Sequence, residues 1–196
     1  MKPVSLALLL VLFTLSRKLD LTTAVYVYDV DGEPLLNGGS YYVVFDEPGG
    51  GPVTLAKVEN ETRPISVVLG SFFEDNMKRA VKFRVDDGLI SFYVSTNVAL
   101  DIEFTSSPVN SSTWSVGQKD LFVRIDNEEE GALPGIFKIK KHGSGHVYRI
   151  VFCPHGEACF PLGAEKVYPG MYQLIVTDGE PLPFIFEKVG FATSAI

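Results

Sequence analysis

Cysteine, tryptophan and methionine are scarce in this chain of 196 residues, which has two, one and three of them. Two thiols cannot build a four-thiolate zinc site or a multiply bridged scaffold. Positive charge is also short. Seventeen Lys and Arg stand against 24 Asp and Glu, a net charge of −7 with a pI near 5.0. That excludes a general nucleic-acid binder, which needs a basic stripe, and adhesion to anionic membranes. No apolar run reaches the roughly 20 residues that cross a bilayer, and no window carries a helical stripe. What is present is 18 Gly, 12 Pro and 12% aromatic residues, with 46% of the chain hydrophobic. Many turns, strand-forming side chains and enough apolar mass for a core imply one β-rich domain.

The first segment reads as a signal peptide over residues 1–24. Met1-Lys2 gives a positive start, Leu6 to Leu15 an apolar stretch of about ten residues, and Thr22-x-Ala24 a small-residue cleavage site. A buried N-terminal helix is the alternative. Lys2, Arg17, Lys18 and Asp20 leave with it, so 14 of 17 basic and 23 of 24 acidic residues remain, a net −9 over 25–196. The expected destination is the extracellular space or a vacuole reached by the secretory pathway. In that oxidising setting Cys153 and Cys159 are expected to form a disulfide that clips a hairpin tip. Asn60-Glu61-Thr62 and Asn110-Ser111-Ser112 become N-glycosylation sequons.

Beyond residue 24 the dominant period is two. Tyr41 to Phe45, Ile90 to Val94, Leu121 to Ile125, Ile136 to Ile139, Val147 to Phe152, Tyr172 to Val176 and Leu182 to Phe186 are runs of β-branched and aromatic residues. Between them lie Asp31-Gly32, Asn37-Gly38-Gly39, Asp87-Gly88, Gly143-Ser144-Gly145, Pro169-Gly170 and Asp178-Gly179. Such spacing predicts a sandwich or barrel. The chain divides into thirds, each long enough for four strands. The stretches FKIKKHGSGHVYRIVF and YQLIVTDGEPLPFIFEKV each suggest two strands joined by a Gly-containing turn, which hints at an internal repeat.

Five blocks in order give this pattern a family likeness. Val30-Asp31-Gly32-Glu33-Pro34-Leu35 followed by Asn37-Gly38-Gly39-Ser40-Tyr41-Tyr42-Val43 comes first, then Arg63 to Val68. Ser95-Thr96 through Leu100 to Phe104, Trp114-Ser115-Val116, and Tyr148 to Pro154 complete the series. Together they resemble the plant Kunitz family of soybean trypsin inhibitor-like proteins over about residues 25–190. The resemblance implies an all-β fold, a β-trefoil of twelve strands with pseudo-threefold symmetry, acting as a monomer without cofactor or metal. It also implies two departures. Arg63 stands where the family has its first Cys, and 105–109 offers no partner, so only the Cys153–Cys159 bridge remains.

The second departure concerns function. Inhibitors of this family present one loop as a substrate, and its stiffness reduces the ordering cost of binding. The matching stretch is Asp86, Asp87, Gly88, Leu89 and Ile90, which contains no basic residue, so trypsin is not the expected target. Leu89-Ile90 is the preferred scissile bond. Leu89 would enter an apolar specificity pocket of a serine protease, a burial worth about 2 kcal/mol; a cysteine protease is the other candidate partner. By the same resemblance Asn37 would support the loop from inside, although turn chemistry alone would justify an Asn there. The competing reading of VDDGLISF is a plain hairpin with an Asp-Gly turn.

Enzymatic readings find little purchase. His142 and His146 flank Gly143-Ser144-Gly145 and His155 lies between the cysteines, which suits turns better than metal ligands or a nucleophile elbow. Asp29-Val30-Asp31-Gly32 starts like a calcium loop, but Pro34 stands where that loop requires Gly. Glu128 to Glu130 reads as a solvated loop. Glycoside hydrolysis needs only two placed carboxylates, and some legume proteins resembling this family carry an α-L-fucosidase label. That role, or a non-inhibitory storage or defence role, stands as the alternative to inhibition.

Overall fold

In Ser40–Phe45 (β1) Tyr41 and Val43 are buried while Tyr42 is partly open, the period-two signature of a strand with one face in a core. A computed structural model shows where such runs go; it describes residues 25–58, 61–70, 78–85, 91–126, 131–155 and 158–190. The strands that follow are β2 (Val53–Ala56), β3 (Ser66–Leu69), β4 (Val81–Val85), β5 (Leu100–Phe104), β6 (Ser115–Val116) and β7 (Val123–Arg124). Then come β8 (Gly135–Lys141), β9 (Tyr148–Pro154), β10 (Phe160–Tyr168), β11 (Met171–Val176) and β12 (Phe184–Lys188). Residues 1–24, the expected signal segment, lie outside the described residues.

Six strands close a ring. β12, β1, β4, β5, β8 and β9 pair in that order, and Phe184 opposite Tyr148 joins β12 back to β9. Long antiparallel ladders (β12–β1, β4–β5, β8–β9) alternate with short contacts (β1–β4, β5–β8, β9–β12), which is a threefold pattern. The remaining strands form hairpins β2–β3, β6–β7 and β10–β11, and β3 ties them together by pairing with β11 and β7. A six-stranded barrel capped by three hairpins, with four strands in each third, is a β-trefoil. Closure removes the exposed strand edges that invite aggregation.

Aromatic side chains fill the barrel. Tyr41, Phe83, Phe152, Phe184 and Phe186 are fully buried, each worth about 1.5–3 kcal/mol of transfer free energy. Phe83 meets Phe186 edge-on with ring centroids 5.2 Å apart, and Phe137 lies 5.1 Å from Phe152. Trp114, buried between Phe104 and Phe137, links the barrel to the loop before β6. Tyr148 puts its hydroxyl against the backbone N–H of Tyr28 at 2.9 Å. Burial pushes that phenol above its ordinary value, and the Tyr28 bond offsets part of the effect.

Two expectations change. FKIKKHGSGHVYRIVF is a hairpin, β8–β9, but YQLIVTDGEPLPFIFEKV is not: β11 pairs with β10 and β3, whereas β12 pairs with β1 and β9. Pro181 and Pro183 donate no ladder bonds and break the strand between them, so cap and barrel separate there. Of the run Ile90 to Val94, Ile90 lies outside the described residues and 91–94 form no continuous strand; Tyr93 and Ser95 make single bridges to Leu36 and Tyr26.

Candidate functional site

Asn37 sits in a tight turn whose neighbours are fixed from several sides. Gly38 takes a φ of 78°, a left-handed conformation that costs a side chain strain and glycine nothing. Its N–H donates to the Phe83 carbonyl at 2.8 Å, and the Leu36 N–H donates to the Tyr41 hydroxyl at 2.8 Å. A Cβ on Gly39 would lie 2.9 Å from the Tyr41 ring and 3.0 Å from the Leu36 carbonyl, so the turn tolerates no bulk there.

The turn aims the Asn37 side chain between two strand ends. Its Oδ1 accepts the Val85 N–H at 3.1 Å, and its Nδ2 donates to the Ser91 carbonyl at 3.0 Å. Its own backbone N–H donates to the Phe92 carbonyl at 2.9 Å. One amide thus satisfies a donor and an acceptor on either side of 86–90. Asp86, Asp87, Gly88, Leu89 and Ile90 themselves lie outside the described residues. A peptide bond cut within that span would leave the flanking residues, Val85 and Ser91, bonded to one side chain.

Past the gap, the Ser91 hydroxyl donates to the Tyr93 carbonyl at 2.7 Å, and Val94 joins Leu35 and Val27 through backbone bonds. These bonds send 91–95 along the N-terminal segment and away from β4, which pairs with β1 and β5. No ladder between β4 and 91–95 exists among the described residues, so the plain-hairpin reading of VDDGLISF finds no support there. Phe92 is 73% exposed; Leu36 and Tyr26 are also exposed, and the Tyr26 ring lies 5.2 Å from that of Tyr93. The period-two pattern gave no sign that Phe92 would face water.

The other candidate residues fall elsewhere. Cys153 and Cys159 are bonded, with Cα atoms 4.0 Å apart, and close the tip between β9 and β10. Asn110 is exposed in a bend; Asn60 lies outside the described residues. His142 and His146 flank the β8–β9 turn, where His146 stacks on Tyr28 at 5.5 Å. No group of three potential metal ligands occurs among the described residues. Arg63 is an exposed cation 3.9 Å from Asp126.

Two polar devices escaped sequence reading. Asp29, 1% exposed, accepts the N–H groups of Asp31 and Glu33 at 3.0 and 2.9 Å, so the calcium-like motif is a self-satisfied turn. Arg124 reaches Asp120 at 2.6 Å and Glu61 at 3.5 Å, while Glu61 also accepts the Ser66 hydroxyl and the Val58 N–H. Burial acts to raise the Asp120 carboxyl, but the Arg124 guanidinium and the Phe122 N–H outweigh it and hold the pKa below the ordinary aspartate value.

A family model of legume Kunitz type, described as trypsin and protease inhibitor, matches residues 27–188. A Kunitz-type serine protease inhibitor of Bauhinia bauhinioides is 32% identical, over 83% of this chain and 96% of its own. A subtilisin inhibitor of Canavalia lineata is 31% identical, over 82% of this chain and 90% of its own. Among solved structures, the trypsin inhibitor from soybean superposes with a TM-score of 0.76 at 26% identity, covering 85% of this chain and all of the other. The same inhibitor in complex with porcine pancreatic trypsin gives 0.75, at 26% identity and the same coverage.

Proposed function

Because the chain belongs to the legume Kunitz family of trypsin and protease inhibitors, we propose that it is a secreted protease inhibitor that offers 86–90 as a substrate-like loop. The observation that carries this reading is the pair of hydrogen bonds by which Asn37 holds Val85 and Ser91. Affinity for a protease grows as less conformational freedom is lost on docking, and anchoring both loop ends reduces that loss. After cleavage the held ends favour rejoining over release, so the complex persists and turnover is slow.

Target choice follows the side chain before the scissile bond. With Leu89 there, the inhibitor suits an apolar pocket of the chymotrypsin, elastase or subtilisin kind, or a cysteine protease, and not the acidic pocket of trypsin. Asp86 and Asp87 add a preference for a protease cleft of positive potential. Inhibition, and not catalysis, is the proposed activity, because the relatives above are inhibitors by name.

The test is an inhibition panel over serine and cysteine proteases with mature protein, run beside an aryl-fucoside assay on the same sample. Submicromolar inhibition of an apolar-specific protease, lost in Leu89→Asp, is the expected result. Inhibition unchanged by Leu89→Asp would remove the loop assignment. Fucose release that copurifies with the chain and needs one particular carboxylate would replace the inhibitor reading.

A further inference from the structure

From Gly131 to Gly156 the chain has no Asp or Glu, although it carries 24 of them overall. The same stretch holds Lys138, Lys140, Lys141, Arg149 and all three His. It folds as the β8–β9 hairpin, whose register sets Lys140 directly opposite Arg149 and Lys138 opposite Val151. Phe137 and Ile139 point into the barrel, as do Ile150 and Phe152, so Lys138, Lys140 and Arg149 share the outer face. Opposed residues hold their Cβ atoms about 5 Å apart and alternate residues on one strand about 7 Å apart. Three long cationic side chains therefore reach a common point. Lys141 turns elsewhere: its Nζ donates to the Gly145 carbonyl and lies 4.5 Å from the Tyr148 ring centre.

On the β4–β5 ladder the sheet sets cations against acids. Lys82 faces Glu103, and Arg84 faces Asp101 while pairing with Glu103 at 2.8 Å. At Lys140–Arg149 the same position holds two like charges, an arrangement that destabilises a ladder. No described carboxylate pairs with Lys138, Lys140 or Arg149, and the Arg149 Nε is buried without a hydrogen-bond partner. Desolvation, and after it the charges of Arg149 and Lys138, hold the Lys140 ammonium below the usual lysine range. An anion placed between the three heads would relieve that repulsion and complete the guanidinium's bonds.

We propose that Lys138, Lys140 and Arg149 form a binding site for a compact oxyanion of the sulfate or phosphate class, as a free ion or as an ester group on a saccharide. The site shares no residue with 86–90 and does not depend on the chain being an inhibitor. In a protein of net charge −7, it is a face where such an anion meets attraction.

Titration of the whole protein with sodium sulfate, against sodium chloride at matched ionic strength, tests it through NMR shifts of Lys140 and Arg149. Sulfate should give saturable shifts and chloride should not. The Lys138→Gln/Lys140→Gln double variant should weaken sulfate binding at least about tenfold, the worth of a charged hydrogen bond. Lys57→Gln should leave it unchanged. A sulfated polysaccharide at equal sulfate concentration separates the sources: tighter binding assigns the ester, equal binding the free ion. Non-saturating shifts in the parent protein overturn the proposal before any variant is made. So would a double variant that binds as the parent does, since the lysines would then serve only to keep strand β8 soluble.

Discussion

The amide of Asn37 donates to the Ser91 carbonyl at 3.0 Å across 54 residues of chain. Through its Oδ1 the same side chain holds Val85, so one residue spans the only gap between β4 and 91–95. Asn37→Ala leaves a partly buried N–H and a carbonyl without this partner, a cost of about 1–3 kcal/mol. The expected outcome is an inhibition constant raised about 10- to 100-fold and faster cleavage of the inhibitor by its protease. Enzyme kinetics and the rate of appearance of nicked chain check both.

Leu89→Arg should raise trypsin inhibition above that of the parent chain, because a basic side chain then meets the acidic pocket. Inhibition of the apolar-specific protease should fall in the same variant. A trypsin assay that stays flat would place the contact residue elsewhere in the loop.

On the proposed reading Phe92, 73% exposed two residues past 86–90, touches the docked protease. Exposed aromatics near the centre of an interface carry much of its energy. Phe92→Ala should weaken inhibition about tenfold while the melting temperature changes by no more than a surface substitution allows. Equal loss of stability and inhibition would mark Phe92 as structural.

Asp120 carries a depressed pKa in the folded chain, owing to Arg124 and the Phe122 N–H acting against its burial. Its contribution to stability is therefore present above the unfolded aspartate pKa of about 3.9 and lost as pH falls through the lower folded value. Asp120→Asn should melt below the parent at pH 6–7, with the difference closing below about pH 4. Thermal melts at several pH values read this directly.

Replacing both Cys153 and Cys159 by Ala should cost about 2–2.5 kcal/mol by the chain-entropy model for so short a loop. The barrel core is untouched, so the fold and inhibition should persist, with a lower denaturation midpoint. Reductant should lower the parent to the level of the variant and leave the variant unchanged.

Much of this was legible in the residues. Alternation at Tyr41–Phe45 and Ile136–Ile139 names strands, because a pleated sheet buries every second side chain. The short spacing of Cys153 and Cys159 named the one bridge. The like-charged hairpin was visible as composition only, since whether Lys140 faces Arg149 or a carboxylate depends on register. Asp29-Val30-Asp31-Gly32 looked like half a metal loop because an Asx turn uses the same residues. Phe92 was read as a strand residue, and only the path of 91–95 along the N-terminal segment turns it to water.

The sequence by itself determined several of the strands, most turns, the acidic balance, the disulfide and the lack of a basic residue in 86–90. Each is written in local periods, residue types or short spacings. Which distant strands pair was decided by tertiary structure: β12 with β1, β5 with β8, and Asn37 between Val85 and Ser91. Those contacts join residues far apart in the chain, and barrel closure around the aromatic core selects them. No local pattern encodes that selection.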